Sequence, residues 1–443
     1  MTAKRYISVL VCLLALASVA RADSDGETIV IVGHASDPDD APAARDRDRA
    51  LGDAPFVTII HADDHPATAS VADAIGSTVG AQTRSLGGLG AYESVTVRGA
   101  APGHTVVLID GVPLARIAAV TTDLGRFALD AFGEVELYRG GVPIELGGAG
   151  VGGALNLVTR LGRGERGERF RISIGSGSFG ARHLRFHYGD SHFGGRLLSA
   201  TTIGYQGATG EYTYFNDGGT PLNPNDDSYQ ARRNNGFDQI DAASRIGATD
   251  RSAAGGLRIA WKHQGLPGSM AQPAIAASLA TLDVIADARG DLAVGPVIAR
   301  ELGYALVELQ QLRDPMAELG LGAQDRDYRT LSGGASSTWI AALGRHRGTA
   351  GLEIRADHFR DSDRTGTRSA LAGSRIGGAV LGAFDLALDR AQTIVVTPAV
   401  RLEAVRTEPT PMTLGPGALV AIPARWDAIP SPRLTARAAV RDD

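Results

Sequence analysis

Past Arg160 the chain alternates. Phe170, Ile172 and Ile174 are interleaved with Arg169, Arg171 and Ser173, Leu184, Phe186 and Tyr188 with His183, Arg185 and His187, and Leu257, Ile259 and Trp261 with Arg258 and Lys262. The period returns at Leu352, Ile354 and Ala356 against Glu353, Arg355 and Asp357, at Phe384, Leu386 and Leu388 against Asp385 and Asp389, and at Val400, Leu402 and Ala404 against Arg401 and Glu403. A period of two predicts strands with one apolar and one charged face. Repeated down the chain at about ten residues each, such strands predict an antiparallel transmembrane β-barrel with a polar lumen. A soluble β-sandwich with one wet face shows the same alternation and is the alternative. Connection lengths favour the barrel. Asp389-Arg-Ala-Gln is a short turn between two strands and Phe215 to Asp241 is long and polar, the two-sided contrast expected of outer-membrane barrels.

Residues 56–160 read differently, as a compact α+β unit large enough for one core. Ser70 is placed to cap a short helix over VADAIGS, Val95 to Gly99 is a short strand ending at glycine, and Val106 to Asp110 runs into an Asp-Gly turn. Leu124, Phe127, Ala128 and Ala131 fall at i, i+3, i+4 and i+7 behind Asp123, which predicts an N-capped helix. Glu134 to Tyr138 and Ala154 to Thr159 are further strands.

Ahead of this unit, Lys4 and Arg5 precede an apolar run from Tyr6 to Ala20, and Ala20-Arg21-Ala22 is a small-x-small cleavage site, so residues 1–22 read as a secretory signal peptide. The run is shorter than the roughly 20 apolar residues of a spanning helix, and no such stretch follows it, so membrane insertion has to use strands closed into a barrel. Cys12, the single cysteine, lies within the signal, which leaves the mature chain without disulfide or thiol chemistry. Loss of Lys4, Arg5 and Arg21 takes the net charge from -5 to -8, which argues against nucleic acid as a partner. The 57 glycines suit turn-rich β structure. Residues 23–55 hold an apolar extended stretch, Glu27 to Val32, and a solvated Asp/Arg/Pro linker from Ser36 to Asp53.

Motifs for chemistry are weak. Gly175 to Gly180 (GSGSFG) matches the spacing of a dinucleotide-binding turn, but the ARHLRFHY that follows has period two and not a helical one, so a hairpin turn is expected. His61 to His65 (HADDH) has no third ligand nearby and reads as a surface turn. No nucleophile, base and oxyanion set is found, so no catalytic residue, metal ligand or cofactor is assigned.

Two segments carry more. Val95 to Leu114 (VTVRGAAPGHTVVLIDGVPL) and Glu134 to Arg160 (EVELYRGGVPIELGGAGVGGALNLVTR) resemble the paired signatures of the plug domain of TonB-dependent outer-membrane receptors, with the helix SVADAIGSTVGAQTR ahead of them. The matching positions are Arg98, Gly99, Asp110, Gly111, Arg139, Gly140, Gly152, Gly153 and Asn156, and the chain departs at Pro143 to Gly150, where the family has an aromatic-glycine pair. The resemblance implies a plug (56–160) inside a barrel (161–443), in the cell outer membrane. Glycines 99, 111 and 140 suit turns or close packing. Arg98 and Arg139, at strand ends, are candidates to pair with acidic groups of the barrel's inner wall as a releasable latch.

The resemblance also gives the N-terminal stretch a role. Glu27, Thr28, Ile29, Val30, Ile31 and Val32 look like a TonB box, a strand that adds to the energising protein TonB at the periplasmic side, since β-augmentation needs free backbone, β-branched residues and a tether. An ordinary N-terminal strand of the plug is the alternative. Gly87, Leu89, Tyr92, Arg116 and Thr121 are the ligand-facing candidates by analogy. The implied function is active uptake of a scarce ligand, a ferric siderophore first, with cobalamin or another small ligand also served by the class. Family barrels have about 22 strands, whereas ten to thirteen can be placed here, and an open sheet leaves unpaired edges that lipid does not tolerate. The barrel portion is therefore expected to be incomplete. A passive or structural outer-membrane barrel, a porin or adhesin, or an inactive receptor fragment, are the rivals to transport.

Overall fold

The structure, a computed structural model, describes residues 28–33 and 57–438, apart from 67–68, 115–120, 141, 144–145, 147–151, 161–168, 221, 251, 321, 367–369, 391, 411, 415–417 and 421. The expected signal peptide, Glu27, the linker and Arg116 lie outside the described residues.

After β1 (Thr28–Gly33) comes a small α+β unit. Its strands are β2 (Val57–His61), β3 (Ala81–Ser85), β4 (Glu93–Val97), β5 (Val106–Ile109), β6 (Val112–Pro113), β7 (Phe132–Tyr138) and β8 (Ala154–Thr159). Five of them form one sheet in the order β2-β7-β8-β5-β6, with β5 parallel to β8, and β3 pairs with β4. Helix α1 (Val71–Gly76) starts where expected: Ser70 accepts from Asp73 N while the Asp73 carboxylate takes Ser70 N–H, a reciprocal capping box. The helix and sheet enclose a core that includes Ile75, Phe127, Phe132, Leu137, Leu155 and Leu157, and Ile285 and Leu306 from the large sheet complete it. Each such side chain contributes about 1.5–3 kcal/mol through burial.

The remainder is β9 (Arg169–Gly177), β10 (Ala181–His192), β11 (Leu197–Ala208), β12 (Tyr212–Asn216), β13 (Ser228–Arg232), β14 (Phe237–Ala248), β15 (Ala253–Gly265), β16 (Ser278–Val294), β17 (Val297–Asp314), β18 (Gln324–Leu343), β19 (His346–Asp363), β20 (Leu371–Ala387), β21 (Ile394–Pro409), β22 (Met412–Leu414), β23 (Ala418–Val420) and β24 (Arg425–Ala438). The large sheet runs β1-β9-β10-β11-β14-β15-β16-β17-β18-β19-β20-β21-β24, antiparallel throughout. Among the described residues β24 pairs only with β21, so the sheet is not closed into a barrel. Its connections are two-sided: 193–196, 249–252, 295–296 and 344–345 are short, whereas 209–236 and 266–277, at the other end, are long. The two-stranded β12–β13 ribbon stands within the first long loop.

The burial pattern of this sheet inverts that of a soluble sandwich. Leu184, Phe186, Leu257, Ile259, Leu352 and Leu402 are exposed, while their alternates His183, Arg185, Arg258, Lys262 and Arg401 are buried. Apolar side chains point out and charges point in, toward the small domain, which suits a wall with lipid on its outer face. The sandwich alternative is overturned by this inversion. GSGSFG is the expected hairpin turn, a 3-10 turn at Ser178–Gly180 between β9 and β10.

One expected element is different. Leu124 to Ala131 forms two 3-10 turns, Leu124–Arg126 and Leu129–Ala131, separated by extended backbone at Phe127 and Ala128. Asp123 caps the first turn through Gly125 N, and Leu124, Phe127, Ala128 and Ala131 are all buried, so cap and core face are as expected and the helix is not. The carbonyls that would accept helical bonds serve the wall instead: Lys262 Nζ donates to Gly125 O and Gln239 Nε2 to Arg126 O.

Candidate functional site at the face between plug and wall

The small domain seats on the charged face of the large sheet through three ionic clusters. In the first, Arg126 projects from a 3-10 turn and donates through Nη1 to Glu308 Oε2 at 2.7 Å and through Nη2 to Asp283, both on the wall and all three buried. In the second, Asp130 lies 2.9 Å from His183 Nε2 and 2.6 Å from Arg185 Nε, and Arg185 bonds Asp241 through both terminal nitrogens at 2.8 and 2.9 Å. The third centres on Asp110. Its carboxylate accepts from Thr159 N at 3.0 Å, Thr159 Oγ1 at 2.6 Å and Arg245 Nη1 at 2.8 Å, and Arg245 also reaches Asp287. Arg289 donates to the Asp110 carbonyl.

Arg126, Asp283, Glu308, Arg185, Asp241, Asp110 and Arg245 are buried, so they interact more strongly than surface pairs, and loss of one partner leaves an uncompensated charge. For Arg126, burial lowers the pKa, but the carboxylates of Asp283 and Glu308 outweigh it and hold the guanidinium firmly charged. A fourth link sits at one end of the interface, where Asp63 is 2.7 Å from Arg160 and also meets Arg171 of β9. Burial raises the Asp63 pKa, and the two guanidinium groups more than reverse that, keeping it well below the usual carboxylate range. Asp63 lies in the 3-10 turn Ala62–Asp64, so HADDH is a turn whose acid serves an ion pair.

The two plug signatures meet in space. Gly111 N donates to Asn156 Oδ1 at 2.9 Å, Asn156 Nδ2 donates to Glu136 at 2.7 Å, and Tyr138 donates to the same carboxylate oxygen. Asp110, held at φ 51, and Gly111, at φ +80, make the left-handed turn that brings this about. Gly153 is required more strictly: at φ +106, a Cβ there would lie 2.3 Å from the Tyr138 carbonyl. Gly140 packs against the Arg98 guanidinium and Gly152 against Ala100, while Gly99 turns in open space.

Of the two arginines expected to form the latch, Arg139 is placed otherwise. Arg139 donates to Val79 O at 2.9 Å and Thr58 Oγ1 at 2.8 Å, within the small domain, and Arg98 is exposed. Ionic contacts between the small domain and the wall are present, but on the small domain they are made by Arg126, Asp110, Asp130 and Asp63. The wall partners Arg185 and Lys262 were visible in the sequence as charged alternates. Arg126, Asp130, Asp283 and Glu308 were missed, because no local spacing links residues more than fifty positions apart.

At the other end, Gly87 and Leu89 are exposed on the β3–β4 hairpin, and Tyr92 bonds Thr121 through their hydroxyls, so four of the five ligand-facing candidates form one apex. Lys262 Nζ ties that apex to the wall through the Gly90 and Gly125 carbonyls. Nearby, Glu93 is half-buried, with Oε2 unpaired; burial, with Asp73 and Asp123 close by, raises its pKa to about 7 against the pull of Ser70 and Lys262. Thr28 to Gly33 pairs antiparallel with β9, Thr28 opposite Gly175 and Ile31 opposite Ile172.

The comparisons agree with this geometry. The family described as TonB-dependent Receptor Plug Domain matches residues 53–154. Over 97 residues the chain is 30% identical to the vitamin B12 transporter BtuB of Vibrio cholerae serotype O1, covering 22% of this chain and 16% of that protein. In fold it is similar to the unliganded ferric citrate transporter FecA, with a TM-score of 0.67 at 14% identity, over 90% of this chain and 62% of that one. It is also similar to the copper transporter OprC, TM-score 0.67 at 12% identity over 88% and 61%, and to the ferric yersiniabactin receptor FyuA of Yersinia pestis, 0.59 at 14% over 86% and 61%. The chain spans less than two thirds of the length of these relatives.

Proposed function

We propose that this chain, which carries a TonB-dependent receptor plug domain ahead of a sheet with the fold of those receptors' barrels, is an outer-membrane receptor for active uptake of a scarce ligand. The observation that carries the reading is the interface: a folded plug held on the charged face of a wall whose other face is apolar and exposed. Ion pairs and hydrogen bonds hold the plug at rest and are individually exchangeable, which a gate requires and a permanent core does not. Ligand binds at the apex around Gly87, Leu89, Tyr92 and Thr121. Thr28 to Val32, paired with β9 at rest, leaves that strand, and Glu27 to Val32 then adds as a strand to TonB, which pulls the plug from the wall and opens a path. A ferric siderophore is the first candidate; cobalamin and copper follow from what the relatives carry.

The test is uptake in cells lacking their own receptors, using radiolabelled ferric siderophores and cobalamin, with residues 27–32 present or deleted and with the proton gradient intact or collapsed. Accumulation of one ligand that needs both the segment and the gradient supports the reading. Accumulation indifferent to both means a passive barrel, and binding without accumulation means a receptor fragment.

A further inference from the structure

Away from the apex, plug and wall leave a gap between them. A cavity of about 230 Å³ separates β5 and β6 from β17 to β21, against the roughly 30 Å³ that one water takes up in the liquid. Leu302, on its wall side, lies a few residues beyond the short turn at 295–296, whereas the apex borders the long loop 209–236, so the two places are separate. The plug side of the cavity is apolar, with Val106, Leu108 and Gly111. Gly111 belongs to the turn whose Asp110 holds Arg245 of the wall, so this side is in place only while the plug is seated.

The wall side is charged, and its charges cancel. Arg401 donates through Nη2 to Glu353 at 2.8 Å and through Nε to Glu403 at 3.4 Å, and Arg355 and Arg375 share Asp357 at 3.0 and 2.9 Å. What is left over is donor capacity. Arg401 Nη1 and the Tyr304 hydroxyl are buried without a hydrogen-bond partner, and both side chains line the cavity. Arg401 reaches from β21 to Glu353 of β19, and Tyr304 extends from β17 over Gly334 of β18, where a Cβ would lie 2.6 Å from its hydroxyl, so the two converge on β19. A buried polar group without a partner is costly, so an occupant gains most by bringing acceptor oxygens. An ion would add an unmatched buried charge to a balanced set, and the apolar side calls for an apolar body.

We propose that this cavity binds a small uncharged amphiphile bearing carbonyl oxygens, an ester or amide on an apolar ring, and that such a molecule holds the plug to the wall. Its oxygens accept from Arg401 and Tyr304, and its ring rests on Val106 and Leu108. Plug and wall each supply part of the site, so binding favours the seated plug over the released one. The pocket stands on the geometry alone, while its holding role rests on the reading of the plug as a gate.

The probe is dimethyl 4-fluorophthalate, which is neutral and carries two ester carbonyls, read by its fluorine NMR signal on the full chain inserted in vesicles, with empty vesicles as the blank. Saturable binding with a Kd of about 1 mM is expected for a molecule of this size, and the dianion 4-fluorophthalate should bind at least about 10-fold more weakly. Tyr304→Phe removes a hydroxyl that has no partner at rest, so it should leave the protease resistance of the wall unchanged and weaken binding about 3- to 10-fold. Ala379→Trp, at a buried position between Glu353 and Glu403 in the register, fills the cavity and should abolish binding. At about ten times its Kd the diester should slow amide exchange at Asp110 and Gly111 about 10-fold. Uptake no different from empty vesicles, binding that survives both variants unchanged, or a dianion that binds as tightly as the diester would each overturn the pocket. Binding that both variants weaken but that leaves exchange at Asp110 and Gly111 unchanged would keep the pocket and overturn its holding role.

Discussion

Asp110 offers a graded test of the latch, because one side chain serves both the plug's own turn and the wall. Replacing it with alanine removes the acceptor for Thr159 N and Thr159 Oγ1 and takes from Arg245 one of its two carboxylates. Breaking a buried ion pair costs about 3–5 kcal/mol, and Arg245 keeps Asp287, which argues for the lower end. The two lost hydrogen bonds add about 1 kcal/mol each, and alanine at φ 51 adds about 1 kcal/mol of backbone strain. These contributions share atoms, so about 4 kcal/mol is a fair expectation. Asp110→Asn keeps an acceptor for Thr159 and tolerates the left-handed backbone, so it loses mainly the charge and should cost about 2 kcal/mol. Amide exchange of Leu157 to Thr159, read by mass spectrometry on the inserted protein, reports the difference: about 10³-fold faster for alanine and about 30-fold for asparagine. Alanine within 3-fold of the parent would refute the latch, and equal effects of the two variants would refute the backbone share of the argument.

Three further outcomes follow from other parts of the molecule. Phe132→Ala, at the fully buried centre of the plug, should destabilise the plug by about 3–5 kcal/mol, seen as loss of protease resistance in the plug while the wall strands stay protected. Ile259→Arg places a charge at the middle of β15 on its exposed apolar face and should cost about 2–4 kcal/mol of insertion into lipid; insertion yield unchanged from the parent would contradict a lipid-facing wall. Glu93 has its pKa raised to about 7 by burial, so its protonated form is favoured in the folded plug. Its contribution is fully present below the ordinary carboxylate range, near 4.5, and is lost as pH rises through about 7. Glu93→Gln should flatten that dependence and leave the plug steadier than the parent at pH 8, measured as thermal unfolding of the plug against pH.

What the sequence made legible follows from the range over which each signal acts. Period-two alternation is local, so strands at Phe170, Leu184, Leu257, Leu352 and Val400 were readable, and the inversion of their faces explains why Arg185 and Lys262 proved to be interface residues. Turn and cap chemistry is local too, hence the capping box at Ser70 and the hairpin at Ser178 to Gly180. The segment from Leu124 to Ala131 shows where locality fails. Its apolar spacing was correctly a buried face, but a helix also needs its carbonyls for itself, and here Gln239 and Lys262, more than a hundred residues later, take them. The same distance hid the pairing of Arg126 with Asp283 and Glu308. Arg98 and Arg139 drew attention because they end strands beside glycines, yet a strand-end arginine beside free carbonyls and hydroxyls satisfies itself at home, as Arg139 does with Val79 and Thr58. A plug that must let go has reason to divide the two tasks: residues that shape its own turns bond inward, and those that hold it to the wall stand on short turns where each partner can be released without unfolding the sheet behind it.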